Sequence, residues 1–290
     1  MPIKFLRYVH DVTAPDRTRL TWFDLIELAL VALGFLAYFL VRGGVVDREA
    51  DAIAHAHWII DMQRALGVAV EPTVNHWTLA ARWRIELFNF VYFWFDFPLI
   101  VGTGLYLFGR SRRHYTLLRD ALLISGAFAL VVYWTFPVAP PRFLPDLGFV
   151  DTMQKYSELS YQAQSLSPFV NPYAAVPSLH VGWAMLFAIV VAQVWRSVWA
   201  RTAGVAVMAI QSVAVIGTAN HFLFDAVVGV IVTLMALGVA VWLERAGYPA
   251  MRELLRRQLV RATEAATPIT RRRATPSRSA QVRGVPPGDG

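Results

Sequence analysis

The chain has 290 residues, of which 56% are hydrophobic and only 16% charged, and its mean hydropathy is +0.45. This balance excludes an ordinary soluble domain. The lack of cysteine excludes disulfides, thiolate metal ligands and a cysteine nucleophile. The formal charge of +7 does not indicate nucleic-acid binding, because the arginines stand at the ends of apolar blocks and near the C terminus, where membrane topology explains them.

Six apolar stretches follow one another along the chain, each close to the ~20 residues that a helix needs to cross a bilayer. They predict an all-α, polytopic membrane protein with a six-transmembrane-helix bundle. Asp24 and Glu27 in the first stretch, with no small-residue cleavage site after it, indicate a retained span rather than a signal peptide. The stretches are residues 22–41, 87–108, 121–138, 178–195, 203–219 and 222–243.

The basic residues predict the orientation of the chain in the membrane. With both termini in the cytoplasm, twenty Lys and Arg residues lie inside and seven outside. The predicted organisation is a cytoplasmic segment at 1–21, a membrane catalytic domain at 22–243 and a basic, disordered cytoplasmic tail at 244–290, drawn to anionic lipids. The preference for Arg over Lys indicates a GC-rich bacterial genome and hence a bacterial plasma membrane.

Two segments outside the membrane are longer than simple connections. Residues 42–86 mix charged and apolar residues and predict an amphipathic helix at the membrane interface. Residues 139–177 run from the rigid VAPPRFLP to NPYAAVP. Loops of this length usually carry function.

The sequence AVPSLHVGWA opens the fourth span with the first candidate site residues. Pro177 and Ser178 suit the start of a helix, and His180 falls in its first turn. The N–H groups at such a helix end form an anion site, where a phosphate fits. Taken alone, the pattern is equally typical of a helix cap followed by an interfacial histidine.

The sequence GTANHFLFDAVVG opens the sixth span with the second candidates. His221 and Asp225 are four residues apart and share a helix face, so the carboxylate orients the imidazole as a nucleophile or base. The spacing alone is weak evidence, since His57 and Asp61 repeat it in the first outside segment. No second catalytic element adjoins that copy, and we interpret it as a solvated interfacial pair.

Arg142, in VAPPRF, lies just beyond the third span. A lone arginine there is typical of a residue whose charge reaches the lipid head groups. The predicted topology, however, puts it on the same membrane face as the starts of the fourth and sixth spans. A cation, a helix N-terminus, an oriented histidine and a second histidine together indicate phosphoryl transfer.

At this point the sequence resembles a known family. PSLH in a fourth span and HxxxD opening a sixth are similar to the second and third signature motifs of the type 2 phosphatidic acid phosphatase superfamily. The surrounding APPRF, NPYAAVPSLHVGWA and GTANHFLFD resemble its inositolphosphotransferase branch, which includes inositol phosphorylceramide synthases. The resemblance covers about residues 50–243.

The resemblance implies a role for each candidate. His221 would attack phosphorus and form a phosphohistidine, with Asp225 holding its ring. His180 would protonate the leaving alkoxide and then activate the acceptor hydroxyl or water, while Ser178 and Arg142 would hold the phosphate oxygens. Such a mechanism needs no metal and no cofactor. The implied partners are a membrane phospholipid or lipid phosphate donor and a lipid hydroxyl or water acceptor.

The sequence departs from the phosphatase branch at positions that hold cations there. The first motif has Thr135 where a lysine is expected and Phe143 where a proline is expected. The third motif has Ala214 and Val215 in place of Ser-Arg. With two cations fewer, the site should hold a doubly charged monoester less well than a singly charged phosphodiester, which favours transfer of an inositol phosphate-like head group.

Three further polar residues accompany the motifs. Asn171 and Tyr173 precede PSLH and are possible head-group contacts. Asp96 lies near the middle of the second span, two residues before Pro98, which should kink that helix. We interpret Asp96 as a structural partner of other helices rather than a site residue.

Three other functions remain open at the level of sequence. The first is a lipid phosphate monoester phosphatase acting on phosphatidic acid or a polyprenyl phosphate. The second is a proton-coupled transporter using Asp96 and His221, although the chain shows no paired repeats. The third is a Ser/His intramembrane protease pairing Ser178 with His221, although Ser178 lacks a Gly-x-Ser-x-Gly setting.

Overall fold

A computed structural model describes residues 22–43, 48–156 and 172–266. These residues form an all-helical structure without a strand; Val138 and Ala174 make one isolated parallel bridge. The α-helices are α1 Trp22–Gly43, α2 Glu49–Ala65, α3 Glu71–Leu79, α4 Arg82–Phe90, α5 Asp96–Arg110, α6 Arg112–Thr135, α7 Thr152–Tyr156, α8 Leu179–Val194, α9 Val198–Gly217, α10 Leu223–Trp242 and α11 Tyr248–Ala266. Short π-helical segments at Val91–Phe95 and Leu243–Gly247 join α4 to α5 and α10 to α11, and 3-10 turns occupy Pro141–Phe143 and Pro145–Leu147.

Large apolar side chains are exposed along these helices, as expected of a membrane protein. Val131 and Trp134 on α6, Met235 and Trp242 on α10, and Val205 on α9 all expose about 60% of their surface. Water would make such exposure costly, whereas lipid makes it favourable. The chain is therefore a membrane protein.

The predicted count of six spans is not confirmed. Among the described residues, three helices are long and apolar enough to cross a membrane, and a bent pair makes a fourth if it is counted as one span. The fourth predicted span is the shorter apolar helix α8, whose 16 residues rise only about 24 Å. Its N-cap residue, Ser178, is buried inside the bundle. In the first predicted span, α1 runs over Trp22–Gly43, and the shorter apolar stretch Leu25–Tyr38 is the part whose side chains are described without a break. The long spans are Arg112–Thr135, Val198–Gly217 and Leu223–Thr263, the bent pair is Arg82–Phe95 with Phe97–Arg110, and the shorter apolar stretches are Leu25–Tyr38, within α1, and Leu179–Val194.

The second predicted span is bent. Its two halves meet at 42°, close to the π-helical Val91–Phe95 and to Pro98. Proline has no N–H to donate to the preceding turn, so a bend is expected here. The structure does not describe the side chain of Asp96, whose role stays a prediction.

One face of α2, within the segment 42–86, packs against the rest of the protein. In α2, Ala52, Ala56, Ile59 and Ile60 are fully buried. They pack with residues of the loop after α6 and with the turn before α10. This cluster forms a cap over the ends of α8, α9 and α10, which is where the candidate site lies.

Two glycines let α8 and α10 approach closely. A Cβ built on Gly229 would lie 2.8 Å from the carbonyl carbon of Ser178 and closer still to its oxygen, and one built on Gly182 would lie 2.8 Å from the carbonyl oxygen of Gly229. Small residues at helix crossings allow such contact inside membranes. The contact brings the first turn of α8 against the first turns of α10, and so joins the two motifs.

Residues 244–266 are helical, although the predicted disordered tail begins at 244. Helix continues through the π-helical Leu243–Gly247 to α11, which ends at Ala266, and residues 267–290 lie outside the described part. Residues of high helix propensity dominate α11. Glu253 forms ion pairs with Arg256 and Arg257 one turn later, which adds local support.

Candidate active site

His221 is held by two acceptors on one edge of its ring. Its Nδ1 lies 2.9 Å from the carbonyl oxygen of Ala175 and 3.3 Å from Oδ2 of Asp225. A carbonyl oxygen can only accept, so Nδ1 carries the proton. In the neutral ring Nε2 then keeps its lone pair, which is the state of a nucleophile. The imidazole is almost fully buried.

Asp225 both orients the ring of His221 and caps the N-terminus of α10. Its Oδ2 accepts the N–H of Phe222 at 2.8 Å, and its backbone oxygen accepts the N–H of Ser178 at 3.0 Å. The carboxylate is fully buried, and its Oδ1 has no hydrogen-bond partner among the described residues. One residue therefore fixes both His221 and the start of α8.

A strained turn presents His221. The chain reverses between α9 and α10 through Ala219, whose φ of 57° lies in the left-handed region, at a cost of about 1–2 kcal/mol for a residue with a Cβ. The N–H groups of Asn220 and His221 donate to the carbonyl oxygen of Val215 at 3.1 and 3.0 Å, and the N–H of Arg142 donates to Ala219 at 2.9 Å. These bonds compensate for the strain and fix the backbone of the histidine.

Three aromatic rings meet at the centre of the site. The centroids of His180 and His221 are 5.6 Å apart, with their planes inclined by 56°. Tyr92, from the π-helical segment, stacks on His180 at 4.7 Å and 25°, and lies 6.5 Å from His221. The two histidines predicted from separate motifs therefore come together, and Tyr92 joins them.

Ser178 caps α8 by position but not by a side-chain bond. It is fully buried, and its Oγ has no hydrogen-bond partner among the described residues. A buried hydroxyl without a hydrogen-bond partner costs free energy unless a bound ligand supplies the bond. The preceding carbonyl, of Pro177, accepts the Tyr133 hydroxyl at 3.0 Å, which fixes the approach to the helix.

Arg142 belongs to the site but is tied to neighbouring side chains. Its guanidinium donates to Oδ1 of Asn220, the residue before His221, and its Nε lies 3.4 Å from Oδ2 of Asp151. The side chain is 8% exposed. It is therefore a buried, paired cation rather than one that extends to the lipid head groups.

Polar side chains from α2 and α3 already occupy the N-terminus of α10. Glu71 Oε1 accepts the N–H of Leu223 at 2.6 Å, and Gln63 Oε1 accepts that of Phe224 at 2.8 Å. Gln63 also donates to Glu71 at 2.6 Å, and both side chains are buried. A carboxylate is favourable at the positive end of a helix. This end of α10 is consequently filled, whereas α8 starts at the unpaired hydroxyl of Ser178.

The remaining predicted contacts have mixed outcomes. Tyr173 is buried beside the site, and Asn171, two residues earlier, lies outside the described residues. Burial, followed by the carboxylate of Glu49, raises the pKa of Tyr173 above its ordinary value, so the phenol is neutral near neutral pH. Its role as a head-group contact stays a prediction.

The second HxxxD pair lies outside the site. Asp61 is 69% exposed and contacts Arg64 at 3.3 Å, and His57 lies 3.8 Å from the exposed Asp146. By contrast, the side chain of Asp225 is fully buried. The interpretation of His57 and Asp61 as a solvated pair agrees with this exposure.

Among the described residues no three His, Asp or Glu side chains are grouped as a metal ion would need.

Sequence reasoning missed several residues of the site. Asn220 could have been found because it adjoins His221. Tyr92, Asp151 and Glu71 carry no local signal, since each comes from an element distant in sequence and reaches the site only through tertiary packing.

Residues 57–239 match the family model described as PAP2 superfamily. The matched range covers well over half of the chain and includes both histidines, Asp225, Ser178 and Arg142. No curated protein and no solved structure shows significant similarity to the chain.

Proposed function

Since the chain belongs to the PAP2 superfamily, whose members are phosphatases and phosphotransferases acting on phosphate esters, we propose that it transfers a phosphorylated head group between membrane lipids through a phosphohistidine. The observation that carries the proposal is the pair of histidine rings 5.6 Å apart, one of them oriented by a buried aspartate. This spacing leaves room for a phosphorus atom that His221 attacks while His180 serves the departing oxygen.

The proposed reaction has two balanced steps. In the first, Nε2 of His221 forms a bond to phosphorus, the bond to the donor lipid oxygen breaks, and His180 gives its proton to that oxygen. In the second, a lipid hydroxyl attacks phosphorus, His180 takes its proton, and the bond to His221 breaks. Asp225 stabilises the imidazole while it carries positive charge.

The phosphate oxygens are proposed to lie at the start of α8. Two observations support this position: the Ser178 hydroxyl is buried without a partner, and the competing helix end, that of α10, is filled by Glu71 and Gln63. Arg142 supplies positive charge from the other side, through the turn that carries Asn220. Protein donors stabilise the transition-state charge in this scheme, so the reaction needs no metal.

The charge of the site supports a phosphodiester substrate. Asp151 partly neutralises Arg142, and Asp225 and Glu71 add buried carboxyl groups. The two positions where the phosphatase motif would place Ser-Arg hold Ala214 and Val215, both fully buried. A monoester carries close to two charges near neutral pH, and a diester one, so the diester is the better match. This supports the inositolphosphotransferase branch over monoester hydrolysis.

The proposed setting is a bacterial plasma membrane crossed six times, with both termini in the cytoplasm and the site on the extracytoplasmic side. In this arrangement α1, the bent α4–α5 pair, α6, α8, α9 and α10 are the spans. The distribution of Lys and Arg supports it. Reporter fusions after Gly109 and after Trp195 should be cytoplasmic, and a fusion after Gly148 should be external; the reverse pattern would contradict the proposed topology.

The test is a mass-spectrometric product profile from purified protein in mixed micelles containing EDTA. The donors are phosphatidylinositol and phosphatidic acid, and the acceptors are diacylglycerol and ceramide. We expect transfer from phosphatidylinositol, and a loss of at least about 10³-fold in His221→Ala, because the nucleophile is removed. A peptide containing His221 should carry the transferred phosphoryl group after rapid quenching.

The matched control is His57→Ala, which removes the histidine of the exposed HxxxD pair and should leave the rate unchanged. Release of inorganic phosphate from phosphatidic acid without transfer would identify the monoester phosphatase instead. Full activity in His221→Ala, or a rate abolished by EDTA and restored by a divalent metal, would contradict the proposal.

A further inference from the structure

Tyr92 contacts the candidate general acid directly. Its ring stacks on that of His180, with centroids 4.7 Å apart and planes inclined by 25°. The same ring lies 6.5 Å from His221, at 53°. Tyr92 therefore covers a face of one histidine while standing beside the other, although neither sequence motif includes it.

The local backbone explains how Tyr92 reaches this position. It lies in the π-helical Val91–Phe95, between α4 and α5. Such segments shift side chains out of the α-helical register and occur often at functional sites. Val91 packs with Phe88 and Ala214, which attaches the segment to α9. Tyr92 itself packs against the cluster of Val181, Val215, Ile216 and Ala226, where α8, α9 and α10 meet.

We propose that Tyr92 is a positioning residue of the reaction: by stacking on His180, it holds the imidazole in the orientation from which its proton reaches the leaving lipid oxygen. The inference rests on the proposed function, because it assigns His180 the role of general acid. Stacked aromatic rings restrict each other's rotation, and an aromatic face also attracts a cationic ring. The stacking therefore favours a fixed orientation of His180.

The inference has a chemical signature that a general loss of structure would not share. An alkoxide is a poor leaving group and needs the proton of His180 when its bond to phosphorus breaks. A 4-nitrophenolate leaves without a proton. In both cases Nε2 of His221 forms the same bond to phosphorus. A defect in the acid should therefore slow formation of the phosphohistidine with the alkyl ester but not with the aryl ester.

The experiment compares two substrates in mixed micelles: phosphatidylinositol, with an alkoxide leaving group, and 4-nitrophenyl dodecyl phosphate, with an aryl one. Tyr92→Leu should lower kcat with phosphatidylinositol by about tenfold to hundredfold. It should change the burst rate of 4-nitrophenolate release, which reports the first step alone, by less than about twofold. Tyr92→Phe keeps the ring and should restore most of the rate with phosphatidylinositol, which separates stacking from any contribution of the hydroxyl.

Phe93→Leu is the matched control, because Phe93 belongs to the same π-helical segment but packs against Trp94, at 5.0 Å and 74°. It should alter neither rate. A uniform loss on both substrates in Tyr92→Leu, or no loss on either, would overturn the inference while leaving the proposed function intact. A wild-type protein that turns over neither ester would overturn both.

Discussion

The close contact between α8 and α10 predicts that Gly229 cannot carry even a methyl group without loss of activity. A Cβ at this position would lie 2.8 Å from the carbonyl carbon of Ser178 and 3.2 Å from its nitrogen. Ordinary contact begins at 3.4 Å, so the carbonyl carbon alone must retreat by about 0.6 Å, and its oxygen by more. The atom in the way is backbone, which has no alternative rotamer.

The displaced residue carries the hydroxyl that we propose to bind phosphate, and it stands at the start of the helix of His180. A misplacement of about 1 Å in catalytic geometry can cost about 10²-fold in rate. We therefore expect Gly229→Ala to lower kcat by about 10²-fold. The assay is the initial rate of head-group transfer from phosphatidylinositol in mixed micelles, measured beside the thermal unfolding midpoint of the same detergent preparation.

The control lies on the same helix. A Cβ at Gly238 would meet nothing within 4 Å, so Gly238→Ala should keep the wild-type rate and gain up to about 1 kcal/mol of helix propensity. The reasoning is refuted if Gly229→Ala keeps more than half of the wild-type rate with an unchanged unfolding midpoint. It is also refuted if both alanine variants lose activity equally, since the contact with Ser178 would then not be the cause.

Three further substitutions test separate parts of the site. Ser178→Ala should lower the rate by about 10²-fold without lowering the unfolding midpoint, because its hydroxyl has no partner among the described residues; a large fall in the midpoint would show that the hydroxyl is structural. Asp225→Asn should lower the rate by about 10²-fold or more. Asp61→Asn, in the exposed HxxxD pair, should change the rate by less than about twofold. Equal effects of the two substitutions would contradict the assignment of Asp225 to the site. Glu71→Ala leaves the Leu223 N–H and the Gln63 amide without their acceptor and should destabilise the protein by about 1–3 kcal/mol, measured by denaturant unfolding in micelles. Glu86→Ala, which breaks an exposed pair with Arg82, should cost under about 1 kcal/mol.

Local spacing was sufficient to predict some features of the site. His221 and Asp225 are one helical turn apart, and the structure places Nδ1 3.3 Å from the carboxylate. Pro177 and Ser178 marked the start of α8, which begins at Leu179. These predictions hold because the interactions lie within one helix or its first turn, where backbone geometry fixes the distance.

Local spacing could not separate the two HxxxD pairs, because both have the same helical geometry. What separates them is burial: His221 and Asp225 lie under the cap, whereas Asp61 is 69% exposed. Local spacing also could not show that Arg142 pairs with Asp151 and Asn220, because those contacts join segments distant in the chain.

The sequence by itself determined an all-helical membrane protein, the order of its motifs and the orientation of one histidine by one aspartate. Hydrophobic length and helical periodicity are properties of short segments, so they can be read without a fold. Only the tertiary structure decided that His180 and His221 meet, because their approach depends on Gly182 and Gly229 at a helix crossing. It also decided that Tyr92 stacks on His180 and that Glu71 fills the end of α10. Contacts between distant segments depend on how side-chain volumes fit together, and no pattern within one segment records them.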